Sequence, residues 1–213
     1  SIQILMKHFK LTALLVLLTA ALGSVYAQPA VTGTVSDPYR VTSINDLVWF
    51  STQTSLWGEG KYFIQMNDID AKDAAFTSTG SAAHPAVVNY DGQGFYINNL
   101  TINSDQPMSG LFGYLESGSV QNLKFYKAAI NNTSVTDAFA GVLAGKTGAS
   151  IFNCHVYEST VNTTGDYVGG QVGSTTGSIQ QCYVWTYSTG RNYVGGIAGV
   201  LDGGNIFLSY PAG

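Results

Sequence analysis

Three sets of side chains in this sequence have the types and spacing for chemistry. Asp68, Asp70 and Asp73 place carboxylates close together, and Ca²⁺ takes about six to eight oxygen ligands. Their spacing lacks the glycine and the late glutamate of an EF-hand loop, so turn capping is the expected role. Cys154 and Cys182 lie 28 residues apart without metal-site spacing. Of the three histidines, His8, His84 and His155, none belongs to an HExxH sequence or an evident nucleophile motif. Glu116, Asp137, Glu158, Asp166 and Asp202 are the acids a sugar-cleaving enzyme would draw on, since such chemistry needs at least a pair on one face. The tyrosines at 157, 167, 183, 187, 193 and 210 could stack on sugar rings, although strand preference for tyrosine also explains them. Tyr183 and Tyr210 are the best candidates because they share an outward column.

The elements that position these residues are set by a repeat. MSGLFG at 108–113, FAGVLA at 139–144, VGGQVG at 168–173 and VGGIAG at 194–199 recur roughly every 27 to 31 residues. Each is followed by a β-branched residue: Val120, Ile151, Ile179 and Ile206. A period in this range marks a stacked array. The short runs rich in Val, Ile, Tyr and Thr, broken by glycine, favour strands over helices. The chain is therefore predicted to be all-β, a right-handed parallel β-helix (β-solenoid) with a short N-terminal capping α-helix. Further columns are Asn122, Asn153, Gln181, Leu208; then Leu123, Cys154, Cys182, Ser209; then Phe125, Val156, Val184, Pro211. The first suggests an amide ladder at a buried corner, broken at Leu208. The second places the cysteines on adjacent rungs aimed the same way, so two stacked reduced thiols are expected, although export would permit a disulfide. Asp137 and Asp166 align with Gln106 and Asn192 at a bend, where capping is the simpler role. Gly110, Gly113, Gly141, Gly170, Gly173, Gly196 and Gly199 are read as the structural repeat glycines, with Ala144 replacing one. Eighteen of 25 glycines follow Met108, so the glycine excess belongs to these bends.

These passages resemble the GLUG-motif repeats of bacterial secreted and surface proteins. GLFG at 110–113 is a close match, and VGGQVG at 168–173 with SIQQCY at 178–183 resembles the glycine core and its Ile-x-x-Cys-Tyr element. The helix, strand and turn signals of 43–105 resemble the segment leading into such repeats. The family occurs in adhesin-like proteins and in non-catalytic parts of surface peptidases of the M26 kind. What the resemblance implies is a non-catalytic scaffold, adhesive or structural, with no cofactor. The competing expectation is a carbohydrate-active β-helix lyase or hydrolase. Ice binding would need regular outward threonine rows, and Thr160, Thr163 and Thr164 do not recur in register.

In chain order, residues 1–27 read as a secretory signal cleaved after Ala27, with Ser1 and Leu5 bounding a stretch upstream of the start at Met6. Residues 28–42 read as a linker and 43–57 as the capping helix, with Ser43 as N-cap and Asp46 at the third position. Residues 58–105 are the first irregular solenoid turns, and 106–213 are four repeats, the last truncated. The open final rung is expected to be covered by further repeats or another chain. Residues 28–213 carry 7 Lys and Arg against 13 Asp and Glu, a net charge of −6. Such a chain, without a basic run, is a poor partner for nucleic acid or an anionic membrane. No transmembrane segment is read in the mature chain. A secreted or cell-surface location follows, with a glycan or a protein of a host or cell surface as partner. Asn99, Asn131, Asn132 and Asn162 each open an Asn-x-Ser/Thr triplet.

Overall fold

The computed structural model describes residues 31–135 and 137–212; the expected signal segment and its cleavage after Ala27 lie outside them. Every pair of named strands is parallel, and the strands stack rung upon rung into a β-solenoid of three sheets. The largest orders Tyr39–Val41, Tyr62–Gln65, Ala86–Asp91, Phe112–Gln121, Ala144–Thr147, Val172–Thr175 and Ala198–Leu201. Val120 pairs with Ile151, Ile151 with Ile179 and Ile179 with Ile206, so residues one lap apart are vertical neighbours. The same inward column runs back through Tyr90 and Phe63 to Tyr39. A second inward column holds Ile69, Ile97, Phe125, Val156, Val184 and Pro211. Strand alternation explains both: in Ala86–Asp91 every other residue is buried, as a period of two requires.

The capping helix is Ile44–Thr52. Ser43 accepts the Asp46 amide, and Asp46 accepts from the Thr42 amide at 2.8 Å and the Ser43 hydroxyl at 3.1 Å, which satisfies donors that a helix start leaves open. Leu47 and Phe50 are fully buried. The Phe50 ring lies 4.4 Å from Phe63, 6.1 Å from Tyr90 and 6.0 Å from Phe112, sealing the N-terminal end of the core. The element is shorter than the expected 43–57. Gln53 leaves helical geometry, a 3₁₀ turn follows at Thr54–Leu56, and Trp57 Nε1 donates back to Phe50 O at 3.0 Å. The stretch 28–42 is not simply a linker, because Tyr39–Val41 forms the first rung against Tyr62–Gln65. Its alternate residues Tyr39 and Val41 are buried, and that alternation outweighs the proline before it.

The glycine register differs from the sequence alignment by one residue. Phe139 pairs with Tyr167 and Val168 with Val194, while Ala144 pairs with Phe112 and Val172. Gly145, not Ala144, therefore stacks with Gly113, Gly173 and Gly199. Gly169 and Gly195, not Gly170 and Gly196, continue the column of Gly110 and Gly141. The consecutive glycines at 169–170 and 195–196 hide the slip, and the first repeat has one residue fewer between its glycines. A Cβ on Gly145 would lie 2.7 Å from Phe139 O and 2.7 Å from Ser109 N, so the bend leaves no room for one.

Candidate functional site

The strands Tyr96–Asn98, Lys124–Tyr126, His155–Thr163, Tyr183–Thr189 and Tyr210–Ala212 form one lateral sheet. Their inward residues fill the core, so the alternate residues stand outward: Tyr96, Lys124, His155, Tyr183 and Tyr210 in one column. Two residues along lie Asn98, Tyr126 and Tyr157, with Trp185 two residues beyond Tyr183 on the same side. Left-handed corners bound the face. Asn122, Asn153, Gln181 and Leu208 have φ between 48° and 54° on one side, and Asn99, Lys127 and Glu158 have φ of 57°, 55° and 45° on the other. Asn tolerates this region best, which explains its recurrence there.

The rings on this face are tilted. Tyr157 lies 6.1 Å from Tyr96 at 40° and 5.5 Å from Tyr183 at 35°. Lys124 Nζ stands 5.2 Å from the Tyr96 centroid and Lys127 Nζ 4.9 Å from that of Tyr126, so cations occupy those two ring faces. The predicted pair Tyr183 and Tyr210 is brought into register, with Trp185 beside it at 36 % exposure. Tyr96, Tyr126 and Trp185 belong to the face although sequence reasoning did not assign them. A period-2 reading of strands beyond the tyrosine column would have found them.

His155 is locked in one tautomer. Its Nδ1 accepts the Tyr183 amide at 3.2 Å, so Nε2 carries the proton and donates to Asn153 Oδ1 at 3.0 Å. Burial, and then the Lys124 charge, hold its pKa below the ordinary imidazole value. The amide ladder predicted at the corner exists for one step, Asn153 Nδ2 to Asn122 Oδ1 at 2.8 Å, and then runs down to Asp91 instead of up to Gln181. The corner is half-exposed, not buried. A second ladder joins Asn103, Asn131, Asn162 and Thr189 at 2.9, 3.4 and 2.9 Å. Asn132, buried between Ser109 Oγ at 2.6 Å and Gln106 O at 2.8 Å, serves the fold.

A separate aromatic row behaves differently. Phe139 and Tyr167 stack at 4.4 Å and 7°, Tyr167 and Tyr193 at 5.2 Å and 5°. Stacked this way, the rings spend their faces on one another and offer edges to solvent, so this row stabilises the coil.

Several of the other candidates take structural roles. Asp68 accepts the Tyr96 amide and Asp70 those of Lys72 and the Asn99 side chain; these are caps, and the described residues hold no metal-binding cluster. Asp166 does not share a column with Asp137: it aligns with Ala138 and Asn192, and Asp137 with Gly165 and Arg191, as the Phe139 to Tyr167 pairing dictates. Arg191 grips Asp166 at 2.6 and 2.8 Å while Asn192 donates at 2.8 Å, which lowers the Asp166 pKa. Cys154 and Cys182 are buried and unbonded to each other, and burial pushes both thiols up. Among the described residues no helix is long and apolar enough to cross a membrane.

These features define a parallel β-solenoid closed by one helix, with a tilted aromatic face. No protein-family model matches the chain. It is 30 % identical over 154 residues to Halomucin of Haloquadratum walsbyi, an alignment spanning 68 % of this chain and 2 % of that one, so the chain corresponds to a small part of that protein. The crystal structure of a candidate immunoglobulin A1 protease from Bacteroides ovatus superimposes with a TM-score of 0.55 at 20 % identity. It covers 83 % of this chain and 68 % of its own, a likeness of fold.

Proposed function

We propose that this chain is a non-catalytic, GLUG-type repeat module of a secreted or surface protein, and that it binds carbohydrate through its lateral aromatic face. The carrying observation is the tilt and spacing of the Tyr96, Tyr157 and Tyr183 rings, with Trp185 exposed on the same side. Parallel stacking would consume their faces, whereas 35° and 40° inclinations leave apolar ring surface turned outward. Lys124 and Lys127 cover Tyr96 and Tyr126, so the sugar-stacking rings are those toward Tyr183 and Tyr210. The similarity to Halomucin, whose name marks it as a mucin, supports an extracellular setting. The similarity to a candidate protease supports a scaffold role in a larger protein and carries no activity to these residues. Non-catalysis is supported by the capping roles of Asp68, Asp70 and Asp166.

A glycan array probed with residues 28–213 tests this. Binding should appear on a limited set of glycans and fall at least tenfold in Tyr183→Ala with Trp185→Ala, with the circular dichroism unchanged. Binding unaffected by that double variant, or polysaccharide turnover by the purified module, would refute it.

A further inference from the structure

Away from the aromatic face, the solenoid is interrupted on one side. After Asp70 the chain leaves the rung, and residues 76–82 form one wall of a cleft of about 470 Å³ whose other wall is residues 102–108. The strand Thr101–Ser104 runs into that second wall; it pairs with Ala129–Asn132 above it and, among the described residues, with no strand below.

The hydrogen-bond parity of this edge follows from the rung above. The amides of Ala129 and Thr133 donate to the carbonyls of Leu100 and Ser104, while Thr160 and Thr164 draw on Ala128 and Asn132. In a parallel ladder alternate residues serve opposite neighbours. Residues 100, 102 and 104 therefore face Ala129–Asn132, and the amides and carbonyls of Thr101 and Asn103 point away from it along the open edge, where Asn103 lines the cleft. The amide ladder opens the same way: Asn103 Oδ1 receives Asn131, and the Asn103 Nδ2 stands at the ladder's lower end. The cleft floor is apolar, with Phe76, Ile102 and Met108, and Asp105 is its one charged lining residue.

We infer that this cleft binds an extended peptide segment, which adds a parallel strand to the open edge of Thr101–Ser104. Its chemistry is specified residue by residue. An apolar side chain opposite Ile102 fills the floor beside Phe76. The next residue, opposite Asn103, is Asn, Asp, Ser or Thr and accepts from the ladder amide. Two positions further on, Lys or Arg meets Asp105. Main-chain bonds supply affinity and the alternate side chains supply selectivity. The site is distinct from the carbohydrate face and stands whether or not that face binds sugar.

The probe is a labelled eight-residue peptide of alternating valine and threonine, with one threonine replaced by asparagine and lysine two positions after it. Anisotropy with the whole chain should give saturable binding. The same peptide N-methylated at the amides facing Thr101 and Asn103 should bind at least tenfold more weakly, a comparison that needs no altered protein. Asn103→Pro should abolish binding while leaving the fold intact, because proline is tolerated where the missing amide faces an open edge. Asp105→Asn should weaken the lysine peptide about two- to fivefold and leave a glutamine version unchanged. Hydrogen exchange should show the Thr101 and Asn103 amides fast in the free protein and slowed by peptide. No binding at about 1 mM peptide, protection confined to the final rung near Tyr210, or strong protection of Thr101 and Asn103 before peptide is added would each overturn the assignment.

Discussion

Replacing Gly145 with alanine tests the rung register where it departs from the apparent repeat. The added methyl would sit 2.7 Å from Phe139 O, 2.7 Å from Ser109 N and 2.9 Å from Gly113 O. All three are backbone atoms from different parts of the stack, and none can swing aside as a side-chain tip would. Ordinary contact requires movement of roughly half an ångström on opposite sides, and overpacking of this kind costs about 1–3 kcal/mol. Taking about 3 kcal/mol for so rigid a site, and subtracting about 1 kcal/mol for the reduced freedom of the unfolded chain, leaves about 2 kcal/mol. For a chain of this size that lowers the Tm by about 4–8 °C. Gly58→Ala is the control, because nothing lies within 4 Å of its Cβ position and the unfolded-chain effect acts there alone; its Tm should rise by about 1–4 °C. Ala144→Gly, which the apparent alignment would make a repair of the repeat, should instead destabilise by about 1 kcal/mol, since Ala144 is buried in a strand. Thermal melts followed by far-ultraviolet circular dichroism measure all three. A Gly145→Ala melt indistinguishable from Gly58→Ala, or an Ala144→Gly variant more stable than the parent, would refute the register.

Two other perturbations follow from titratable groups that are buried or half-buried. His155 has a folded pKa below that of the unfolded chain, so the unfolded state takes up its proton first. Its contribution is present above the unfolded value of about 6.5 and is lost as pH falls through the folded value. Tm should therefore decline between about pH 7 and pH 5 more steeply in the parent than in His155→Gln; equal slopes would show that His155 is not the group responsible. Cys154 and Cys182 are buried with raised thiol pKa values, and thiolate is the reactive form. A colourless-to-yellow disulfide reagent should label neither in the native protein and both in denaturant, and rapid native labelling of either would contradict their placement.

The coil itself was legible because its inward columns obey a strict vertical rule: Val120, Ile151, Ile179 and Ile206 must resemble one another, and their spacing reports the lap. The capping helix was legible from Ser43 and Asp46, whose local hydrogen bonds do not depend on the rest of the fold. The glycine register was not. A pair such as Gly169 and Gly170 matches a column equally well in either frame, and only the strand pairings, Phe139 with Tyr167 and Ala144 with Val172, distinguish them. The first rung was missed because Tyr39 and Val41 are too short an alternation to stand out beside prolines. Half of the aromatic face was legible through Tyr183 and Tyr210. Tyr96 escaped because it lies in the irregular early laps, where spacing does not announce the column, and Tyr126 because its column neighbours are Asn98 and Tyr157 and not a run of tyrosines. Asn131 and Asn162 attracted notice as glycosylation triplets, yet their pairing across rungs is a property of the stack that no local motif encodes.

The sealing of one end by Phe50 and its helix bears on how the molecule carries a load. In this coil the inter-strand hydrogen bonds run along the long axis, so a pull between the ends separates rungs as a zipper opens and does not slide strands past one another in shear. Each lap depends only on its neighbours, and the aromatic-rich laps beneath the helix hold far more buried ring surface than the final one. Tension would open the laps around Tyr210 before those beneath the helix, paying out length while the Phe50 laps stayed shut.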